Sequence, residues 1–241
     1  REARELFVPI RRAASAVSGV EVVVCPPAVF LPVLAAYKSE KNISLGGQDA
    51  YWEPTGAYTG AVSAVMLKQS GASYVIVGHS ECRVCQLADG DSDEVINLKV
   101  KASLAAGLTV VLCVGERERD AHGEYLHIIR QQLRVALRGV SKKSFADLVI
   151  AYEPVWAIGV HARATDTPED FLAQMLYIRK VLSSLAGKDE AMSIPVLYGG
   201  SANPDNAAGF LVAGQADGLL VGHASLRADH FSQIIKIAVT V

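Results

Sequence analysis

At 241 residues, 51% of them hydrophobic, with twenty glycines and nine prolines, the chain has the composition of one large folded α/β core and not of a disordered or fibrous segment. Its 23 basic and 25 acidic side chains leave a formal charge of −2, which excludes a broad nucleic-acid or anionic-membrane surface, so an anionic ligand would need a local site. No run approaches the roughly 20 apolar residues of a membrane span, the charged stretch Arg1–Glu5 has no signal-peptide core, and the four cysteines suit a reducing compartment, so a soluble cytoplasmic protein is expected.

Taken in chain order, apolar residues at three- and four-residue spacing predict a first helix over Glu5–Val17. Valine-rich Val20–Cys25 then reads as a buried parallel strand stopped by Pro26-Pro27, and Ile43–Gly47 as a second, ending in Gln48-Asp49. Tyr74–Val77 is a third, ended by Gly78-His79-Ser80, and helix Glu94–Ala106 follows with Asp93 before it as a cap. Strand Thr109–Val114 ends in Gly115-Glu116 and leads to helix Glu124–Leu137. Strand Leu148–Tyr152 ends in Glu153-Pro154 and leads to helix Pro168–Leu185, with Thr167 as its cap. Strand Pro195–Tyr198, helix Pro204–Ala213 with Asn203 as cap, and strand Gly218–Val221 complete the series.

Strands alternating with crossover-length helices imply parallel β-α-β units, and with no linker or low-complexity stretch residues 1–241 read as a single domain. Seven strands leave two architectures open. A doubly wound open sheet can use seven, whereas a closed eight-stranded barrel needs one more strand before Arg1. No G-x-G-x-x-G follows any strand, which weakens the open-sheet reading.

Functional groups of parallel α/β folds gather where strands end, so the polar residues there are the candidates: His79, Ser80, Glu81, Glu116, Glu153, Ser201 and His223. Glu153 lies between a buried strand and the apolar loop Pro154–Gly159, a setting that raises a carboxylate's proton affinity and suits a general base; a helix cap or a surface ion pair is the alternative. His79 could polarise a carbonyl or relay a proton, while Ser80 and Glu81 are placed to cap a following helix. Gly199-Gly200-Ser201 and Gly218–Gly222 precede helical starts, and backbone N–H groups at such turns favour a phosphate dianion. Cys82-x-x-Cys85 is one C-x-x-C without a second pair, too little for a metal site.

Seven phrases occur together in one order: Cys25-Pro26-Pro27, Gly56–Gly60, Val75–Glu81, Leu112–Glu116, Ala151–Gly159, Tyr198–Ser201 and Val221–Leu226. Through them the chain resembles the triosephosphate isomerase family along essentially its whole length. The resemblance implies an α/β fold, the (β/α)₈ TIM barrel, with its first β-strand absent from these 241 residues. It implies an isomerase of glycolysis and gluconeogenesis that interconverts dihydroxyacetone phosphate and glyceraldehyde 3-phosphate through an enediolate. Glu153 would be the base and His79 the electrophile, with Ser80 helping to hold the imidazole and Glu81 a supporting carboxylate. Backbone N–H groups of Gly159, Ser201, Gly222 and His223 would grip the phosphate, and residues 157–164 would form a lid. No metal or organic cofactor is implied. A homodimer through the loop Gln48–Ala61 is.

The chain also departs from the family. The asparagine and lysine that end the family's first strand have no counterpart here. Ala61 and Cys82 replace a glutamate and an arginine that pair near the subunit contact, so both halves of one ion pair are absent together, which can be near neutral. The lid is longer than usual, with Val160-His161-Ala162-Arg163 at its tip, and His223 replaces a glycine, where a strained backbone angle would weaken the phosphate grip. Two rivals follow: a catalytically impaired barrel that only binds a phosphorylated ligand or partner, and a Schiff-base aldolase, which would need a lysine on an inner strand that none of the seven runs supplies.

Overall fold

The computed structural model describes residues 2–38, 42–84, 90–120, 122–158 and 166–241. Its seven strands are β1 (Val22–Val24), β2 (Ile43–Gly47), β3 (Tyr74–Val77), β4 (Thr109–Val114), β5 (Leu148–Tyr152), β6 (Val196–Tyr198) and β7 (Gly218–Leu219). The helices are α1 (Glu2–Ser15), α2 (Leu31–Ala35), α3 (Ala64–Gln69), α4 (Ser80–Arg83), α5 (Asp93–Ala105), α6 (Tyr125–Ala136), α7 (Pro168–Leu185), α8 (Lys188–Ser193), α9 (Ala207–Val212) and α10 (Ala228–Thr240).

Every strand pairs in parallel with its neighbour in sequence, in the order β1-β2-β3-β4-β5-β6-β7. That order removes the doubly wound alternative, which reverses direction at a switch point. The sheet is curled: α1, which leads into β1, packs against α10, which follows β7, so the two ends of the sheet lie on one side of the molecule. Among the described residues β1 and β7 each have one strand neighbour.

Alternation along the strands divides the apolar residues between two layers. Val75, Val77, Val110, Leu112, Leu148, Ile150 and Val196 join the helices' Ile96, Val100, Ile129, Leu133, Ile178 and Leu182 in one buried cluster. Ile76, Val111, Cys113 and Ala151 form a second, smaller cluster on the opposite face, with Val149, Leu197 and Leu220 packed against it. A sheet buried on both faces explains why the strands read as unbroken apolar runs.

Boundaries shift where side chains claim the backbone. Ser92, not Asp93, caps α5, its hydroxyl accepting from the Val95 N–H. Thr167 caps α7 as expected, accepting from the Asp170 N–H, with Pro168 first in the helix. Asn203 does not open a helix at Pro204; its side chain accepts from the Asp205 and Asn206 N–H groups, and the turn so formed delays α9 to Ala207. The strands at Val20–Cys25 and Gly218–Val221 are shorter than the runs that predicted them. α10 was not predicted: its β-branched Ile234, Ile235, Ile237 and Val239 lower helix propensity, and packing against α1 and α9 outweighs that.

Candidate active site

The ends of β3, β4, β5 and β6 converge on Glu153. Its N–H donates to Val114 O (2.8 Å), and the Gly199 N–H donates to Tyr152 O (2.8 Å), which wedges the residue between β4 and β6. The fit requires two glycines. A Cβ on Gly115 would stand 1.8 Å from the Glu153 carbonyl oxygen, and one on Gly199 would stand 3.1 Å from Glu153 Cγ. Gln132 of α6 fastens Gly115 from below, accepting from its N–H at 2.8 Å and donating to its C=O at 3.0 Å.

His79 reaches Glu153 from β3. Arg83 fixes the turn that carries it, donating from Nε to Gly78 O (2.7 Å) and from Nη2 to Cys113 O (3.0 Å), while Nη1 pairs with Asp93 (2.7 Å). His79 itself caps α4: its Nδ1 accepts from the Glu81 N–H at 3.3 Å. An accepting Nδ1 assigns the ring hydrogen to Nε2, which lies 2.9 Å from Glu153 Oε1. The second carboxylate oxygen, Oε2, accepts from the Ser80 N–H at 2.8 Å. Glu153 is 2% exposed, and both its oxygens are satisfied.

Burial is the largest single influence on His79 and pulls its pKa down. The hydrogen bond and charge of Glu153, then the charge of Glu81, outweigh it, so in this arrangement the imidazole stands above its ordinary value. The Glu81 N–H aimed at Nδ1 opposes a second ring proton. The Glu81 carboxylate is exposed and 4.0 Å from that nitrogen, so the residue's contact with the ring is made by its backbone. Ser80 likewise acts through its N–H, and on Glu153 instead of on the imidazole.

A second buried group adjoins the first. Glu116, fully buried at the end of β4, accepts at Oε1 from Tyr152 OH (2.8 Å), Trp156 Nε1 (2.9 Å) and Arg119 Nε (3.0 Å), and its carbonyl accepts from the Val155 N–H (3.1 Å). Arg119 Nη2 donates to Tyr152 OH (3.0 Å), Nη1 pairs with Asp170 (3.0 Å), and the guanidinium lies 4.6 Å over the Trp156 ring. Burial and the Glu116 charge push the Tyr152 phenol well up. Of this group the sequence points to Glu116 alone, as a strand-end carboxylate; Tyr152 and Trp156 carry no signal beyond the apolar phrase around Glu153, and Arg119 carries none.

The two phosphate candidates stand side by side because the Leu220 N–H donates to Tyr198 O (2.8 Å), continuing the β6–β7 ladder toward both loops. Ser201 Oγ donates to Ala157 O (3.2 Å), linking its loop to the segment after Glu153. Gly222 and His223 open the 3₁₀ turn His223–Leu226, whose first N–H groups have no earlier turn to bond to. Among the described residues only Gln215 is a non-glycine with positive φ, so the backbone strain feared at His223 is absent. Gly159 and the tip at 160–163 fall outside the described residues, as does Cys85. Cys82 belongs to a cluster with Asp49 and Asp91 that has metal-ligand spacing, but Lys99 Nζ already sits 2.6 Å from both carboxylates, and burial pushes the Cys82 thiol up to about 11.

Fold and site together define a parallel β/α barrel with a buried carboxylate–imidazole pair at the strand ends, the arrangement of an enzyme that moves protons on a small polar substrate. Comparison with known proteins is specific. The family model for triosephosphate isomerase matches residues 1–238, and the chain belongs to that family. It is 48% identical over 236 residues to the triosephosphate isomerase of Roseiflexus sp. (strain RS-1), covering 97% of this chain and 91% of the relative. It is 43% identical over 233 residues to that of Caldanaerobacter subterraneus subsp. tengcongensis, covering 96% and 90%. The crystal structure of triosephosphate isomerase from Bartonella henselae superposes with a TM-score of 0.85 at 35% identity, covering 98% and 92% of the two chains.

Proposed function

We propose that the chain interconverts dihydroxyacetone phosphate and D-glyceraldehyde 3-phosphate, with Glu153 as the proton carrier. The observation that carries this reading is the Glu153 carboxylate, buried and held between His79 Nε2 and the Ser80 N–H. Glu153 takes the proton from the carbon beside the carbonyl. The electron pair of that C–H bond becomes the enediolate double bond, and the charge passes to the carbonyl oxygen. The carboxylic acid then returns the proton to the neighbouring carbon. Nε2–H of His79 gives its proton to the oxyanion so formed and takes the hydroxyl proton of the neighbouring oxygen, so hydroxyl and carbonyl exchange places and the ring ends neutral. Once Glu153 turns to the substrate, its raising influence on His79 is withdrawn. Burial then pulls the imidazole's pKa down against the remaining charge of Glu81, and the Glu81 N–H at Nδ1 leaves Nε2–H as the donor.

The backbone N–H groups of Ser201, Gly222 and His223, with Gly159, are assigned to the phosphate, and residues 157–164 to a lid that shields the enediolate from water. We read residues 1–241 as one barrel domain acting in the cytoplasm. No helix of the described residues is long and apolar enough to cross a membrane. Homodimerisation through Gln48–Ala61 is supported by its aromatic cluster, in which the Tyr51 ring lies 4.1 Å from that of Trp52 and 4.8 Å from that of Tyr58. The deciding experiment is turnover of either triose phosphate in D₂O. Product carrying solvent deuterium on the newly protonated carbon is expected. Solvent label reports exchange at the Glu153 carboxyl before the proton is returned. Labelled turnover at the wild-type rate in Glu153→Gln would refute proton carriage through Glu153, and absence of turnover would refute the isomerase assignment of this chain.

A further inference from the structure

Next to the site lies a carboxyl group that the reaction does not use. Asp166 directly precedes the cap of α7 and is 5% exposed. Among the described residues neither of its oxygens has a hydrogen-bond partner, and Glu116 Oε2 has none either. The Thr167 N–H is close enough to favour the charged form but does not stand in hydrogen-bond geometry. Among the described residues the cation nearest to Asp166 is Arg119, whose Nη2 lies 3.9 Å from Oδ1. That same nitrogen donates to Tyr152 OH, and Tyr152 OH in turn donates to Glu116. One guanidinium therefore faces Glu116, Asp170 and Asp166; it also lies 5.4 Å over the Tyr125 ring, and two further contacts, Tyr152 and Trp156, flank Glu153 in the chain.

Buried polar atoms without partners are rare, and three carboxyl oxygens around one arginine call for a physical account. A buried carboxylate is tolerable when paired or hydrogen-bonded, and among the described residues Asp166 has only the long contact to Arg119. Its alternative is to keep its proton. We propose that Asp166 is a proton-controlled positioning residue for the isomerase reaction: protonated, it leaves Arg119 on Tyr152 and Glu116, and ionised, it draws Nη2 toward itself and loosens the grip on the strand end that carries Glu153.

The charge environment agrees. Burial, the largest influence, raises the Asp166 pKa to about 7; Arg119 lowers it, while Asp170 and Glu116 raise it. Among the described residues the titratable and charged groups facing it are Arg119 and Glu116 from the end of β4, Asp170 from α7 and Tyr198 from β6, whose phenol Asp166 in turn helps to push up. The switch therefore works near neutrality, with the tighter arrangement on the acid side.

The proposal rests on the isomerase reading for its effect on rate, so the test has one arm that does not need turnover. The chain has two tryptophans, and the Trp156 indole N–H, which donates to Glu116, gives an NMR signal that Trp156→Phe assigns, with Trp52 as the internal reference. In the wild type this signal should move with a midpoint near pH 7, and in Asp166→Asn it should stay still. In parallel, wild-type kcat should fall about two- to fivefold through the same window with KM little changed, and the Asp166→Asn profile should be flat there. A Trp156 signal that ignores pH in the wild type, or one that titrates equally in Asp166→Asn, overturns the proposal. A wild-type signal that does not titrate overturns the proposal even if the variant fails to fold, and absence of turnover with the NMR transition present would refute only the isomerase reading.

Discussion

Two carboxyl groups of the same mouth, Glu153 and Asp166, are buried to nearly the same degree, yet the fold treats them in opposite ways. Glu153 has a donor at each oxygen, one from an imidazole and one from the first N–H of a helix, and both donors are fixed by Arg83 and by the cap of α4. Asp166 has none among the described residues and shares a guanidinium already committed elsewhere. Burial alone therefore does not decide what a carboxylate does. The donors waiting for it decide whether it is held in place to act as a base or left without a partner of its own.

The contrast breaks most sharply at Glu153. Glu153→Gln keeps the shape and removes the base, so kcat should fall about 10³-fold or more while a phosphate-bearing substrate analogue still binds, as steady-state rates and calorimetry would report. His79→Gln should lower kcat by about 10²- to 10³-fold, because the oxygens of the enediolate lose a donor placed for them. Near-wild-type rates in that variant would mean that the imidazole merely holds Glu153. Ser201→Asp should act on binding: a carboxylate beside the phosphate should raise KM about tenfold or more with a smaller change in kcat. An unchanged KM would remove the loop after β6 from the phosphate site.

The smallest effect belongs to Asp166 and sharpens the comparison through stability. The folded chain keeps the Asp166 proton up to about pH 7, whereas the unfolded chain releases it near the ordinary carboxylate value of 3.8. Between those values the folded state binds more protons, so stability falls as pH rises, and the penalty is complete above pH 7. Asp166→Asn lacks that penalty. Its urea midpoint, measured at pH 5 and pH 8, should fall less over the interval than that of the wild type, and identical falls would show that Asp166 ionises freely.

Legibility followed the range of the forces involved. β2, β3, β4 and β5 and the helix Pro168–Leu185 were readable because each is an uninterrupted local pattern bounded by glycine, proline or a capping side chain. The short helices α2, α3, α4 and α8 are too brief to show a period, and α10 carries β-branched residues that local propensity disfavours. Glu153 and His79 could be chosen as candidates because they follow strands. Asp166 could not be chosen, since one aspartate before a threonine cap looks like any polar residue at a helix entry.

By itself the sequence determined the β/α alternation, the family, and which polar side chains stand at strand ends, since all of these follow from residue order and near-neighbour chemistry. Only the tertiary structure decided that the strands run in sequential order around a curl, that Ser80 serves Glu153 through its backbone, and that Glu116, Arg119, Tyr152, Trp156 and Asp166 share one buried site. Hydrogen bonds and desolvation act between atoms a few ångströms apart whatever their separation along the chain, and packing alone sets those distances.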